Sequence, residues 1–177
     1  MQRIVRNNCA VVNFFVASHV WFALANEWAQ QKTKKYSFQS LCESRWYSMA
    51  KVCLSILYYK DFLQDAASKG GTSKEYPPIR VEVLQHINDR HFADNKELVE
   101  IIQPIADLIG ELEKSKTNIA NIVVQFIKLH KYYIGLAQCV LHQNPFVEEA
   151  LHLLSKRYKQ YFICEIYPIA LFLSPMY

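Results

Sequence analysis

The chain has 177 residues, 51% of them hydrophobic and 14% aromatic, with 4 Gly and 6 Pro. That composition excludes a disordered tail, a collagen-like repeat and a turn-rich sandwich, and the length suits one domain or slightly more. The net charge of +4 is too small to indicate a polyanionic partner by itself, but it is laid down in blocks. Met1 to Lys69 holds nine basic and four acidic residues, Gly70 to Glu113 four and nine, and Lys114 to Tyr177 seven and three. An acidic middle between two basic arms fits a helical protein with one polyanion-facing side, and equally three solvated faces; the solvated faces are the default.

In chain order, the uncharged run Cys9 to Ala25 follows Arg3 and Arg6 and ends in Ala23-Leu24-Ala25, a superficial match to a signal peptide. Asn13, Ser18 and His19 interrupt it, and its 17 residues are marginal for a bilayer span, so secretion is the minority reading. Ile4, Val11, Val12, Phe15, His19 and Phe22 fall at helical spacing and predict one amphipathic helix running to Gln31. After the polar break at Lys32 to Ser37, Ser44 is placed to cap a second helix starting near Trp46, with Met49, Val52, Cys53, Ile56, Leu57 and Leu63 inward. Residues 68–78, with Gly70-Gly71 and Pro77-Pro78, predict a flexible loop that no helix crosses.

Beyond that loop, Ile79, Val83, Leu84 and Ile87 predict a short helix, and Leu98 to Leu112 a longer one that Pro104 bends. Ile119, Ile122, Val123, Phe126, Ile127, His130 and Ile134 mark the clearest helix, with Ser115 or Thr117 at its N-cap. Asn144-Pro145 starts a last one whose inner side is Val147, Leu151, Leu154, Tyr158, Tyr161 and Phe162. Alternation of period two is missing throughout, so the fold class is all-α.

Catalytic signatures are scarce. There is no G-x-S-x-G, phosphate-binding glycine loop or H-E-x-x-H. Cys139 and His142 offer at most two zinc ligands, and the five cysteines, without a C-x-x-C pair, read as reduced core residues. His130 reads as a hydrogen-bonded core histidine, and Glu97, Glu100, Asp107, Glu111 and Glu113 as an outer helix face. The segment Lys32 to Lys51 is richer: Lys32, Lys34, Lys35, Arg45 and Lys51 are interleaved with Tyr36, Phe38, Trp46 and Tyr47. Cations neutralise phosphates and rings stack on exposed bases, the two ingredients of contact with single-stranded or distorted DNA. The competing reading is a lysine-rich loop followed by an aromatic helix start that packs inward.

Cys42-Glu43-Ser44-Arg45-Trp46-Tyr47-Ser48-Met49 resembles the Cys-x-x-Arg-Trp-like stretch that opens the helical insertion domain of the hAT family of cut-and-paste DNA transposases. Ile4 to His19 resembles the family's helix before that motif, Gln103-Pro104-Ile105 its Leu-x-Pro-like segment, Ile119 to His130 the next helix, and Ile166 to Tyr177 the Leu-Asp-Pro-type ending, with Ser174 and Met176 where Asp and Arg are common. The resemblance implies a multi-helix insertion domain of a ribonuclease H-like transposase: residues 1–36 form a helix leading out of the catalytic core region and residues 37–177 the insertion. The family's three carboxylates, which hold divalent Mg or Mn, fall outside the aligned region, so no catalytic residue, metal site or cofactor is expected in this chain. Arg45 and Trp46 carry over as the family's DNA-holding pair, joined by the basic residues Lys34, Lys35 and Lys51 as DNA-binding candidates.

The resulting expectation is a fragment or decayed copy of a transposase with weak or vestigial DNA contact. It has no membrane or small-molecule partner, oligomerises only through regions not present here, and is nuclear by family resemblance or else cytoplasmic. The alternative is a helical protein–protein interaction module with no DNA role.

Overall fold

The computed structural model describes residues 2–32, 36–42, 47–114, 116–138, 145–162 and 164–174. Those residues are all-α, with one isolated bridge, Ser73 to Tyr76, outside the helices. The chain divides into two compact units, Met1–Ile102 and Gln103–Tyr177.

In the first unit the predicted amino-terminal helix is two: α1 (Gln2–Ala17) and α2 (His19–Gln30), bent by 99° at Ser18. Ser18 leaves the helical region (φ −91°, ψ 111°), and its Oγ accepts the Trp21 N–H at 3.4 Å, so it stops one helix and caps the next. The bend changes which residues face inward. Val11, Val12 and Phe15 are buried as predicted, but His19 and Phe22 are exposed, and Trp21, Ala25 and Ala29 take the inward positions on α2. No single described helix is long and apolar enough to cross a membrane, and the α1–α2 pair reaches that length only across the bend.

α3 (Ser48–Tyr58) and α4 (Lys60–Lys69) follow, with Val52, Cys53, Ile56 and Leu63 buried and Met49 and Leu57 half-buried. The proposed cap Ser44 lies outside the described residues. At the start of α3 the Ser48 hydroxyl donates to the Cys42 carbonyl at 2.7 Å and accepts from the Cys42 N–H at 3.1 Å, tying the incoming chain to the helix. No helix crosses the predicted loop: Gly71 sits at φ 82°, and its N–H donates to the Tyr76 carbonyl at 2.7 Å, folding Tyr76 back against Trp21. α5 (Val81–Leu84) buries Val83, and α6 (Asp89–Leu112) runs through Pro104, with Asn88 Oδ1 accepting the His91 N–H at its start.

Aromatic rings dominate this unit's core. Phe15 meets Trp21, Phe38 and Phe62 at centroid distances of 5.7 to 5.9 Å, and Phe38 stacks on Tyr59 at 4.0 Å and 17°. A smaller cluster joins Val5, Cys53, Leu98 and Val99 from α1, α3 and α6.

The second unit contains α7 (Ile119–Gln138), α8 (Pro145–Tyr161) and α9 (Ile166–Phe172), α7 packing on both of the others. The α7 cap is Asn118, whose Oδ1 accepts the Asn121 N–H at 2.9 Å; Thr117 instead donates to the Glu111 carbonyl, and Ser115 lies outside the described residues, as does Asn144 before α8. The buried face of α7 is Ala120, Val123, Leu129 and Tyr133. Of the predicted stripe only Val123 is fully buried, while Ile119, Ile127 and Ile134 are exposed. Periodicity locates a face but not its breadth.

Candidate functional site

Arg45, Trp46, Lys34 and Lys35 lie outside the described residues. What the structure places is their flank. Lys51, exposed in the first turn of α3, holds its ammonium 4.5 Å above the Tyr47 ring. Lys32, just past the end of α2, holds its own 4.5 Å above Trp28. Trp28 meets Tyr58 edge-on at 5.7 Å, and Tyr58 packs on Tyr36 at 5.5 Å. Lys51 and Tyr58 are seven residues apart on α3, hence on one helical face. The two lysine–ring pairs and the Tyr58–Tyr36 contact therefore run along one side of that helix.

The physics of the arrangement is plain. The lysine stems lie on apolar ring faces while the ammonium groups stay in water, and ring quadrupoles hold the cations in place. Neither lysine forms an ion pair among the described residues; those that occur join Lys60 to Asp89, Lys69 to Asp65, and Lys114 to Glu111. Two preplaced cations can thus meet phosphate oxygens without first giving up a carboxylate.

The rings divide between surface and core. Phe38, nominated for stacking, is a core residue against Phe15 and Tyr59, so it cannot reach a base. Tyr36 is half-buried, its phenol pushed upward by loss of solvent, and its carbonyl accepts the Tyr59 hydroxyl at 2.8 Å. Burial, reinforced by Tyr58, pushes the Tyr59 phenol itself up to about 12. Trp28, which the sequence reading left out of the patch, belongs in it; the signal is the four-residue step to Lys32, one helical turn.

A second feature escaped sequence reasoning altogether. Asn8, fully buried on α1, donates to Asn95 Oδ1 at 2.7 Å and to Cys53 Sγ at 3.3 Å, and its Oδ1 faces His91 Nε2 at 2.8 Å. Asn95, also fully buried, donates to the Cys53 carbonyl at 2.9 Å. With the Asn8 amide committed as donor, its oxygen can only accept, so His91 carries its proton on Nε2. Burial, more than the neighbouring His86, lowers the His91 pKa below its usual value; Asp94 acts against the shift and Arg3 adds to it. Burial pushes the Cys53 thiol up to about 11, against the opposing Asn8 hydrogen bond, so it stays a thiol at neutral pH. The network satisfies its members from within, which makes it a structural knot joining α1, α3 and α6.

The structure departs from the expectations for His130 and for the cysteines. The buried, hydrogen-bonded histidine is His91; His130 is half-buried beside an open groove of the second unit. Cys53 is a core cysteine and Cys9 is half-buried, but Cys42 and Cys164 are exposed. Cys139 and His142 lie outside the described residues, and among the described ones no three His, Cys, Asp or Glu side chains converge to hold a metal.

No protein-family model, curated protein or solved structure matches the chain.

Proposed function

We propose that this chain is the helical insertion region of a hAT-type cut-and-paste transposase, a DNA-contacting piece without a catalytic centre. The reading rests on the Cys42 to Met49 motif, and the observation that supports it best is the pair of ring-seated lysines, Lys32 and Lys51, on either side of that motif, neither in an ion pair among the described residues. In this reading Lys32 and Lys51 neutralise backbone phosphates, Arg45 grips a phosphate through two parallel N–H donors, and Trp46 stacks on a base displaced from the duplex. In this reading the chain is assigned binding and no bond-breaking step, because the segments that carry the resemblance do not include the family's metal-holding carboxylates.

Fluorescence anisotropy with a labelled DNA hairpin tests this. The expected result is binding that weakens steeply between low and moderate salt. Lys51→Ala and Lys32→Ala should each lower the slope of log affinity against log salt by roughly 1, and Trp46→Ala should weaken binding to the hairpin more than to a blunt duplex. Binding that ignores salt and all three substitutions overturns the proposal.

A second reading, a helical module that docks another protein, draws on α9, where Ile166, Ile169 and Phe172 are all exposed, Phe172 by 89%. It predicts partner binding unaffected by Lys32→Ala and Lys51→Ala.

A further inference from the structure

The apolar stripe that periodicity assigns to the core of the second unit is covered only in part by the described residues: Val123 is buried, but Ile127 and Ile134 are exposed. Phe126, Ile127 and Ile134 of α7, with Leu154 and Tyr158 of α8, instead line an open groove of about 500 Å³. Beneath it Phe162 meets Phe126 at 4.8 Å and stacks on Tyr158 at 5.4 Å and 12°, bracing the two helices. The volume falls within the range of small-ligand sites, and the lining has their character, apolar walls with a few convergent polar groups.

Its two lysines stand beside Ser155 and His130, and no carboxylate lines it. Lys131 and Lys159 line the groove, both exposed and neither in an ion pair among the described residues. α7 contains no Asp or Glu at all, and the carboxylates of α8 are Glu148 in its first turn and Glu149 next to it, at the far end from Lys159. An apolar trough with an uncompensated cationic rim selects a ligand with an apolar body and an anionic head.

Length separates the two kinds of ligand that have this character. The α7 wall runs from Phe126 to Ile134, about 12 Å of helix, but the α8 wall only from Leu154 to Lys159, about 7.5 Å. A docked amphipathic helix anchored at i, i+3 or i+4, and i+7 needs about 10 Å between walls of that length. The α8 wall is too short for such fixed anchor spacings, whereas a flexible alkyl chain has none and can bend to follow a trough closed on two sides for little more than one turn. We propose that the α7–α8 groove binds a single-chain anionic amphiphile, its alkyl chain along Phe126, Ile134, Leu154 and Tyr158 and its carboxylate between Lys131 and Lys159. The site is independent of the DNA-contacting patch, and it departs from the expectation that the chain has no small-molecule ligand.

The test is titration of the full chain with dodecanoate below its micelle concentration, read from the methyl resonances of Ile127, Ile134 and Leu154, with dodecylammonium as the charge-reversed control. The expected result is saturable shifts at these methyls, with dodecylammonium at least about tenfold weaker, as two surface ion pairs allow. The double variant Lys131→Glu/Lys159→Glu should reverse that preference with an unchanged circular dichroism spectrum, both side chains being exposed. Ile134→Trp, which fills the trough from its exposed wall, should abolish the shifts and controls for any loss of fold in the charge variant. Phosphatidylglycerol vesicles separate the sources: vesicle binding without shifts from dodecanoate means a membrane surface is recognised and overturns the proposal. Equal affinity for the two amphiphiles overturns it, as does the absence of saturable shifts or a response only to an acidic amphipathic peptide.

Discussion

Replacing Asn8 by Ala is the sharpest test of the first unit's architecture, because one small side chain there serves three partners on two other helices. Its removal leaves the His91 Nε2–H and Asn95 Oδ1 buried without partners and takes the weaker contact from Cys53 Sγ. A buried polar group stranded in this way costs about 1–3 kcal/mol, so the two main losses together cost about 4 kcal/mol. That is a large share of the roughly 5–15 kcal/mol that holds a typical domain together. Chemical denaturation followed by helical circular dichroism measures it. Asn95→Ala should cost a similar amount, and the double variant less than the sum, since each single change already strands the other's partner; the expected coupling is about 1–2 kcal/mol. Asn8→Leu/Asn95→Leu should recover part of the loss by filling the space with apolar volume. An Asn8→Ala cost below about 1 kcal/mol, or strict additivity with Asn95→Ala, refutes the reasoning.

Two further outcomes follow from the same unit. His91 is buried with its pKa lowered, so the unfolded chain takes up a proton near pH 6.5 while the folded chain resists it, and stability should fall as pH drops below about 6.5, by at most about 1.4 kcal/mol per pH unit, levelling off below the folded-state value. Denaturation midpoints at several pH values check this, and a His91→Gln variant should lose that part of the pH dependence. Gly71→Ala should destabilise by about 1 kcal/mol, because a φ of 82° is costly for a residue with a Cβ even though nothing crowds the position; a neutral result in thermal unfolding means the turn from Gly71 to Tyr76 relaxes freely.

Local signals carried the helices. The 3.6-residue spacing of apolar side chains located α3, α5, α7, α8 and the part of α6 from Leu98, and the glycine–proline cluster marked the segment that no helix crosses, with α4 ending at Lys69 just inside its predicted start, because backbone propensity and turn chemistry act over a few residues. The candidate patch was legible in part: interleaved cations and rings are visible in the sequence, and the structure seats Lys51 over Tyr47, while Phe38 turned out to be a core ring. Which ring faces water depends on Phe15 and Tyr59, residues twenty-odd positions away on either side, and no local pattern contains that.

By itself, then, the sequence determined that this chain is helical, where most helices lie, and which segment brings cations and rings together. Only the tertiary structure decided that Ser18 breaks the first helix, that Asn8, His91 and Asn95 meet across separations of more than eighty residues, and that part of the best apolar stripe of α7 lines a groove instead of a core. The reason is one of range: helix formation is settled by neighbours three and four positions away, whereas burial is settled by which distant surface packs on the face.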